Sequence, residues 1–299
     1  MELDNIKVSI IMNCFNGEKY LTQSIQSVIS QSHKKWELIF WDNMSIDNSR
    51  KIFENFKDER LKYFKAEEHT ILYKARNLAL KKASGDFICF LDTDDYWEND
   101  KIEKQLKKFK ANNKISIVYT NYYIVNEKLK LKMEYTNSKK LPEGIIAKDL
   151  LKFYCTGIST LMFKKEVFEN KLFDERFHII GDFDFVLNQS IKRKFSVVRE
   201  KLVNYRMHDK NESLLNRERH IRELKIWFDE NKKKELSNIE GFKNFKVKIL
   251  ELEITKYFLE KNYKQVFLKL SVYPISLKKI KFFIFFIIPN SLLKKLINY

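Results

Sequence analysis

The first hundred residues alternate short, unbroken apolar runs with helix-patterned segments, and that rhythm admits few architectures. Val8–Met12 (VSIIM), Trp36–Trp41 (WELIFW), Leu61–Phe64 and Phe87–Leu91 (FICFL, entered through Gly85) read as strands. Between them, Leu21, Ile25, Val28 and Ile29 fall on one helical face. Asp47 is the expected cap of a helix reaching about Phe56, and a third helix spans about Leu72–Ala83 with Leu72, Ala75, Leu78 and Ala79 on one side. Strands without polar alternation are buried on both faces, so the pattern predicts an α/β fold: a mostly parallel, Rossmann-like central sheet flanked by helices. Ligands of such sheets gather beyond the carboxyl ends of the strands. That directs attention to Asn13–Gly17, to Asp42 and Asn43, and to Asp92–Asp95.

The last of these carries the most chemistry. Leu91–Trp97 reads LDTDDYW, with Asp92, Asp94 and Asp95 crowded into one turn after an apolar strand. Neighbouring carboxylates repel unless a cation or strong donors offset them. Hard oxygen ligands with open positions suit Mg²⁺ or Mn²⁺ carrying the phosphates of a substrate. Capping of a following helix by Asp95 explains one aspartate but not three. Asn13, Asn16, Asp42, Asp47, Arg76 and Asn77 are individually ordinary. If the sheet is parallel, Asn13, Asp42 and Asp92 meet on one rim and outline a nucleotide pocket.

Beyond Asp95 the rhythm changes. A helix at about Asn99–Lys110 leads to a strand at Ile115–Thr120, a polar loop around Asn137–Lys140 and an apolar run at Ile158–Phe163. A helix over Phe183–Lys192 and a strand over Phe195–Tyr205 follow. From about Asn216 to Leu270 the chain is helical and lysine-rich. The expected organisation is one domain at 1–215, with a nucleotide-binding part (1–98) and a second part (99–215), then a basic helical extension at 216–299.

Charge is distributed unevenly. Residues 1–100 hold 14 Lys/Arg against 17 Asp/Glu, whereas the remainder holds 43 against 23, giving +17 overall. Such a balance fits nucleic acid or an anionic membrane as partner, but there is no zinc-finger spacing, RNP aromatic pattern or basic-region heptad, so nucleic acid is not expected. Cys14, Cys89 and Cys155 are odd in number and widely spaced, as for reduced thiols of a cytosolic protein. MELDNIKVSI enters a strand at once, without a signal-peptide pattern. In segment 276–299, seven consecutive apolar residues, Phe282–Ile288, precede a proline and are flanked by Lys278, Lys279, Lys281, Lys294 and Lys295. A spanning helix needs about 20 apolar residues. The segment is expected either to lie in an anionic membrane surface, with its lysines snorkelling, or to pack on the protein.

Several stretches together resemble inverting glycosyltransferases of family 2, which have the GT-A fold: VSIIMNCFNGEKYLTQSIQSVISQS, WDNMSIDNS, ARNLALKKASGDFICFLDTDDYW, GDFDFVLNQS and YRMHDKNES, over about residues 6–213. The resemblance implies that Asn13, Phe15, Asn16, Asp42 and Asn43 hold the nucleoside and that Arg76 shapes the donor pocket. Asp92, Thr93 and Asp94 form the DxD motif, with Asp94 the more direct ligand of Mn²⁺ or Mg²⁺ and His208 near the diphosphate or metal. Asp182 takes the place of the catalytic base, with Asp184 the alternative. It departs from the family pattern at Asn43, where a second aspartate is frequent, and at Gly181, where a glutamate is frequent. Asp182 could also simply cap a helix beginning at Phe183.

The implied function is transfer of a sugar from a nucleotide-sugar, a UDP-sugar first among the candidates, to a hydroxyl of a glycan or lipid-linked glycan. The setting is bacterial surface polysaccharide synthesis on the inner face of the cytoplasmic membrane. A nucleotidyltransferase would need a Gly- and Lys/Arg-rich loop after the first strand; NCFNGEKY has one Gly and one Lys. A non-catalytic basic module leaves the aspartate cluster unexplained.

Overall fold

The computed structural model describes residues 3–286 and 288. The chain divides into two compact units, Met1–His208 and Asp209–Tyr299. In the first, β1 (Val8–Cys14), α1 (Glu18–Ile29), β2 (Trp36–Asp42), α2 (Ser49–Glu54), β3 (Leu61–Lys65), α3 (Leu72–Leu80) and β4 (Phe87–Phe90) follow the alternation read from the sequence. The remaining elements are β5 (Tyr96–Trp97), α4 (Lys101–Ala111), β6 (Ile115–Asn126), β7 (Leu131–Glu134), α5 (Ala147–Lys152), β8 (Met162–Lys164), α6 (Gly181–Ser190) and β9 (Lys194–Arg206).

One nine-stranded sheet has the order β3-β2-β1-β4-β8-β6-β9-β5, with β7 paired to β6. From β3 to β4 it is parallel, and β1 and β2 run in register from Val8↔Trp36 to Cys14↔Asp42. Beyond β4 it is mixed: β8 is antiparallel to β4 and β6, whereas β9 is parallel to β6. Alternate residues of the strands serve opposite layers. Ile10, Leu38 and Cys89 join Leu21, Ile25 and Val28 of α1 and Ile102 and Leu106 of α4 in one core cluster. On the other face Phe90, Phe163, Phe168, Phe173 and Phe185 stack edge-on and face-on, with ring centroids 4.8–6.2 Å apart.

Three elements differ from expectation for physical reasons. β6 continues six residues past Thr120, because β7 and β9 supply partners that its polar outer half does not advertise. α6 starts at Gly181, which puts Asp182 inside its first turn and Ile180 at the cap position. α3 buries Tyr73, Ala75, Arg76, Asn77 and Ala79 and leaves Leu72 outside, because distant polar partners select its inner face.

The amino ends of the strands are tied by Glu37, which is almost fully buried. Its carboxylate accepts from Ser9 Oγ (2.6 Å), Ser84 N (2.8 Å), Lys62 Nζ (2.5 Å) and Lys7 Nζ (2.9 Å). Burial by itself pushes the carboxyl up, but Lys62, Ser9, the Ser84 amide and Lys7 outweigh it and hold it well below the usual carboxylate range. A depressed folded-state pKa gives stability that is present above the unfolded value of about 4.3 and lost as pH falls toward the folded one. Glu37→Gln is therefore expected to cost about 1–3 kcal/mol at pH 7 and progressively less below about pH 4. Urea unfolding of both proteins across this range checks it; a gap that stays constant down to pH 3 contradicts the assignment.

The second unit consists of α7 (Glu212–Leu215), α8 (Arg217–Asn231), α9 (Phe245–Leu259), α10 (Tyr263–Val272) and α11 (Leu277–Ile284). Ile254, Phe258, Val266, Leu270, Tyr273, Phe282 and Phe285 form its core, so one side of α11 packs inward. Its other side leaves Leu277, Ile280, Phe283 and Ile284 exposed. Residues 287 and 289–299 of the predicted surface segment lie outside the described residues. Among the described residues no helix is long and apolar enough to cross a membrane.

Candidate active site at the carboxyl ends of the strands

Because β1, β2 and β4 are parallel and in register, their carboxyl ends bring Asn13, Asp42 and Asp92 to one rim. The loop after β1 is held against the loop after β2. Asn16 adopts φ 54°, which an asparagine tolerates better than most residues. Its Oδ1 accepts from Ile46 N (2.9 Å), and its own N–H donates to Ser45 Oγ (3.1 Å). Gly17 lies so close to Thr93 that an added Cβ would sit 3.0 Å from Oγ1. Phe15 is half-exposed beside His69, with ring centroids 4.2 Å apart.

Two rim residues serve the turn itself. Asp42, 2% exposed, accepts from Ser45 N (2.8 Å) and from the Tyr63 hydroxyl (2.5 Å). Asn43 donates to Thr70 O (2.7 Å) while its Oδ1 accepts from Thr70 N and Oγ1 (3.3 Å each). A carboxylate has no proton to give Thr70 O, which accounts for asparagine here. By contrast, the Asn13 amide and Trp41 Nε1, register neighbours on β1 and β2, are buried without hydrogen-bond partners among the described residues. Orphaned polar atoms at a strand-end rim are what a bound polar ligand would satisfy.

The 91–97 turn divides its aspartates by role. Asp95 is 2% exposed and accepts from Arg206 N (3.0 Å) and Ser159 Oγ (2.7 Å). Burial first, then Asp94 and Asp92, push its carboxyl far above the usual range. It is a fastener, and it does not cap α4, which begins only at Lys101. Asp92 accepts from Arg76 Nη2 at 2.6 Å. Burial pushes the Asp92 carboxyl up, with Arg76 opposing and Asp94 adding to the rise. Asp92 and Asp94 are both partly open, with side chains 37% and 31% exposed; Asp94 Oδ2 lies 3.0 Å from His208 Nε2, and His208 stacks on Tyr20 (5.1 Å). Arg206, 1% exposed, donates to the Asp94 carbonyl and Gln23 Oε1, and to Glu127 Oε1 at 2.8 Å. It lies over the rings of Tyr20 and Tyr96. The backbone of the turn is thus fixed from β9, and the Asp94 side chain is left for other partners.

Asp182 reaches the same site from α6. Its Oδ1 takes Phe183 N (2.9 Å) and the Tyr73 hydroxyl (3.0 Å), and its charge is felt at Arg76, Asp92 and Tyr205. Asp184 is buried; its Oδ1 accepts from Asn188 Nδ2 (2.7 Å), and Lys171 Nζ lies 3.8 Å from its Oδ2. Arg76 is 2% exposed. Burial alone would weaken its charge, but Asp92, Tyr73 and Asp182 outweigh burial and raise its pKa. Sequence reasoning passed over Tyr73, Arg206, Ser159 and His69. Arg206 stands two residues before His208 in YRMH, the one local clue; Tyr73 gave none.

Among the described residues, no group of three or more His, Cys, Asp or Glu side chains is arranged to enclose a metal ion. Asp94 with His208 makes a two-sided, open donor set instead.

Comparison with known proteins gives the family and the fold. The family model described as glycosyl transferase family 2 matches residues 9–171. Escherichia coli UDP-Glc:alpha-D-GlcNAc-diphosphoundecaprenol beta-1,3-glucosyltransferase WfgD is 44% identical over 124 residues, 42% of this chain and 49% of that protein. The putative teichuronic acid biosynthesis glycosyltransferase TuaG of Bacillus subtilis (strain 168) is 34% identical over 161 residues, 53% of this chain and 62% of that protein. The chain thus spans about half to three-fifths of the length of these curated relatives. Among solved structures, S. aureus TarS 1-349 in complex with UDP-GlcNAc shares the fold, with a TM-score of 0.66, 18% identity, and coverage of 89% of this chain and 80% of that one. The family match takes in more than half of the sequence, and the chain belongs to glycosyl transferase family 2.

Proposed function

We propose that this chain is an inverting, divalent-cation-dependent glycosyltransferase that moves a sugar from a nucleotide-sugar, most simply a UDP-sugar, to a hydroxyl of a glycan or lipid-linked glycan in bacterial surface polysaccharide synthesis. The observation that carries it is the pairing of Asp94 with His208, 3.0 Å apart and partly open, on a rim that also gathers Asp92, Arg76 and Asp182. One carboxylate and one imidazole with positions to spare would suit Mn²⁺ or Mg²⁺ arriving with the donor's phosphates. Bound there by Asp94 and His208, such a cation would supply charge stabilisation for the departing diphosphate. The unpartnered Asn13 amide and Trp41 Nε1, with the exposed Phe15 ring, offer polar and stacking contacts for the nucleoside.

The acceptor oxygen bonds to the anomeric carbon as that carbon's bond to the diphosphate oxygen breaks; the electron pair leaves with the diphosphate. The acceptor's proton passes to Asp182 as attack proceeds, since a free hydroxyl is far too weak an acid to ionise beforehand. Attack opposite the leaving group inverts the anomeric centre. The relatives' names support the substrate class: one is a UDP-Glc-dependent transferase acting on a diphosphoundecaprenol-linked sugar, and TarS is seen with UDP-GlcNAc. Thermal unfolding with UDP-, dTDP- and GDP-sugars, each with and without Mn²⁺ or Mg²⁺, tests the reading. Metal-dependent protection by at least one donor is expected; protection by none overturns it.

The second unit supports peripheral attachment to the cytoplasmic membrane. Ile275, Leu277, Ile280, Phe283 and Ile284 are exposed there, with the Lys278 side chain 67% exposed among them. Apolar side chains beside lysines fit an anionic bilayer surface. The full chain is expected to float with phosphatidylglycerol vesicles and not with phosphatidylcholine alone, and Ile280→Glu with Phe283→Glu to weaken this about tenfold. Indifference to both vesicles rejects the attachment.

A further inference from the structure

The Gly181–Asp182 pair and Tyr73 fit each other in a way that neither segment reveals alone. A Cβ on Gly181 would lie 2.5–2.6 Å from three carbons of the Tyr73 ring, far inside contact distance. Glycine is therefore what lets α3 bring a tyrosine against the first turn of α6. The Tyr73 ring is buried beside Phe173 (5.7 Å) and Arg76 (5.3 Å). Its one phenolic proton is shared between the Ile179 carbonyl (2.7 Å) and Asp182 Oδ1 (3.0 Å). With Phe183 N also on Oδ1, Asp182 Oδ2 takes no hydrogen bond among the described residues. One turn further along α3, Arg76 holds Asp92. A single helix thus touches both the carboxylate from α6 and the aspartate of the 91–97 turn.

We infer that Tyr73 is a positioning residue: it anchors Asp182 by Oδ1 so that Oδ2 is the oxygen that takes the acceptor's proton, and Gly181 is the space this arrangement requires. The inference rests on the transferase reading above. Small displacements of a proton-accepting group cost rate rather than donor affinity, and this separates positioning from mere packing.

Tyr73→Phe keeps the ring and its contacts and removes only the hydroxyl. In a sugar-transfer assay, kcat is expected to fall about tenfold, with the donor KM within about twofold of wild type and the thermal midpoint lowered by no more than about 5 °C. Wild-type kcat, or a fall in kcat matched by an equal loss of donor binding, overturns the inference. Steric matching is read independently by thermal unfolding of Gly181→Ala, Tyr73→Ala and the double variant. Gly181→Ala is expected to lower the midpoint in the wild-type background and to have almost no effect once the ring is gone. An equal cost in both backgrounds overturns the pairing. Absence of transfer by wild-type protein with every donor would instead reject the transferase reading, and the unfolding cycle does not depend on it.

Discussion

Asp182→Asn is expected to bind its donor as wild type does and to transfer sugar about 10²–10⁴-fold more slowly. The substitution is nearly silent to the fold. The amide oxygen can still accept from Phe183 N and the Tyr73 hydroxyl, the two partners of Oδ1. What changes is the other atom: a carboxylate oxygen that can take a proton becomes an NH₂ that cannot. In the proposed reading the donor is held elsewhere, on the rim formed by β1, β2 and the 91–97 turn, so metal-dependent thermal protection should persist. Transfer at the normal rate would move the base role away from Asp182. Asp184 would be next in line, although it is buried against Asn188 and near Lys171 and would have to give up those contacts.

Asp94→Ala is expected to fail at the earlier step. Protection by the donor should no longer depend on Mn²⁺ or Mg²⁺, and transfer should fall by about 10²–10³-fold or more. The turn itself should survive. Arg206 grips the Asp94 carbonyl rather than its side chain, and Asp95 remains pinned by Arg206 N and Ser159. His208 keeps its stacking on Tyr20 and loses only its carboxylate partner. A wild-type thermal midpoint combined with loss of metal dependence therefore assigns the side chain to the cation. Full metal-dependent binding in Asp94→Ala would remove it from that role. The two variants make opposite predictions for donor binding, so a single binding assay separates them.

Much of the β1–β4 region could be read in the sequence because its information is local. VSIIM, WELIFW and FICFL are unbroken apolar runs, and such runs bury on both faces whatever surrounds them. The residue after each run then falls at a strand's carboxyl end, so the convergence of Asn13, Asp42 and Asp92 followed from counting. Beyond β4 the same reasoning weakened. The strand pattern of β6 ends at Thr120 because its outer half carries Asn121, Tyr122 and Tyr123, whose partners come from β7 and β9. A periodicity argument has no access to partners 11 to 81 residues away.

At the level of the site, the sequence by itself determined which residues stand on the rim: three aspartates in one turn, GDFD and YRMH in order. Only the tertiary structure decided what each carboxylate is free to do. Asp95 and Asp42 each have both oxygens hydrogen-bonded, whereas Asp92, Asp94 and Asp182 are each held through one oxygen. The Asn43 and Gly181 departures likewise acquired reasons only from Thr70 and Tyr73. The cause is physical: a carboxylate's availability depends on which donors fill its lone pairs. Here those donors come from Arg206, Ser159 and Tyr73, up to 111 residues distant along the chain.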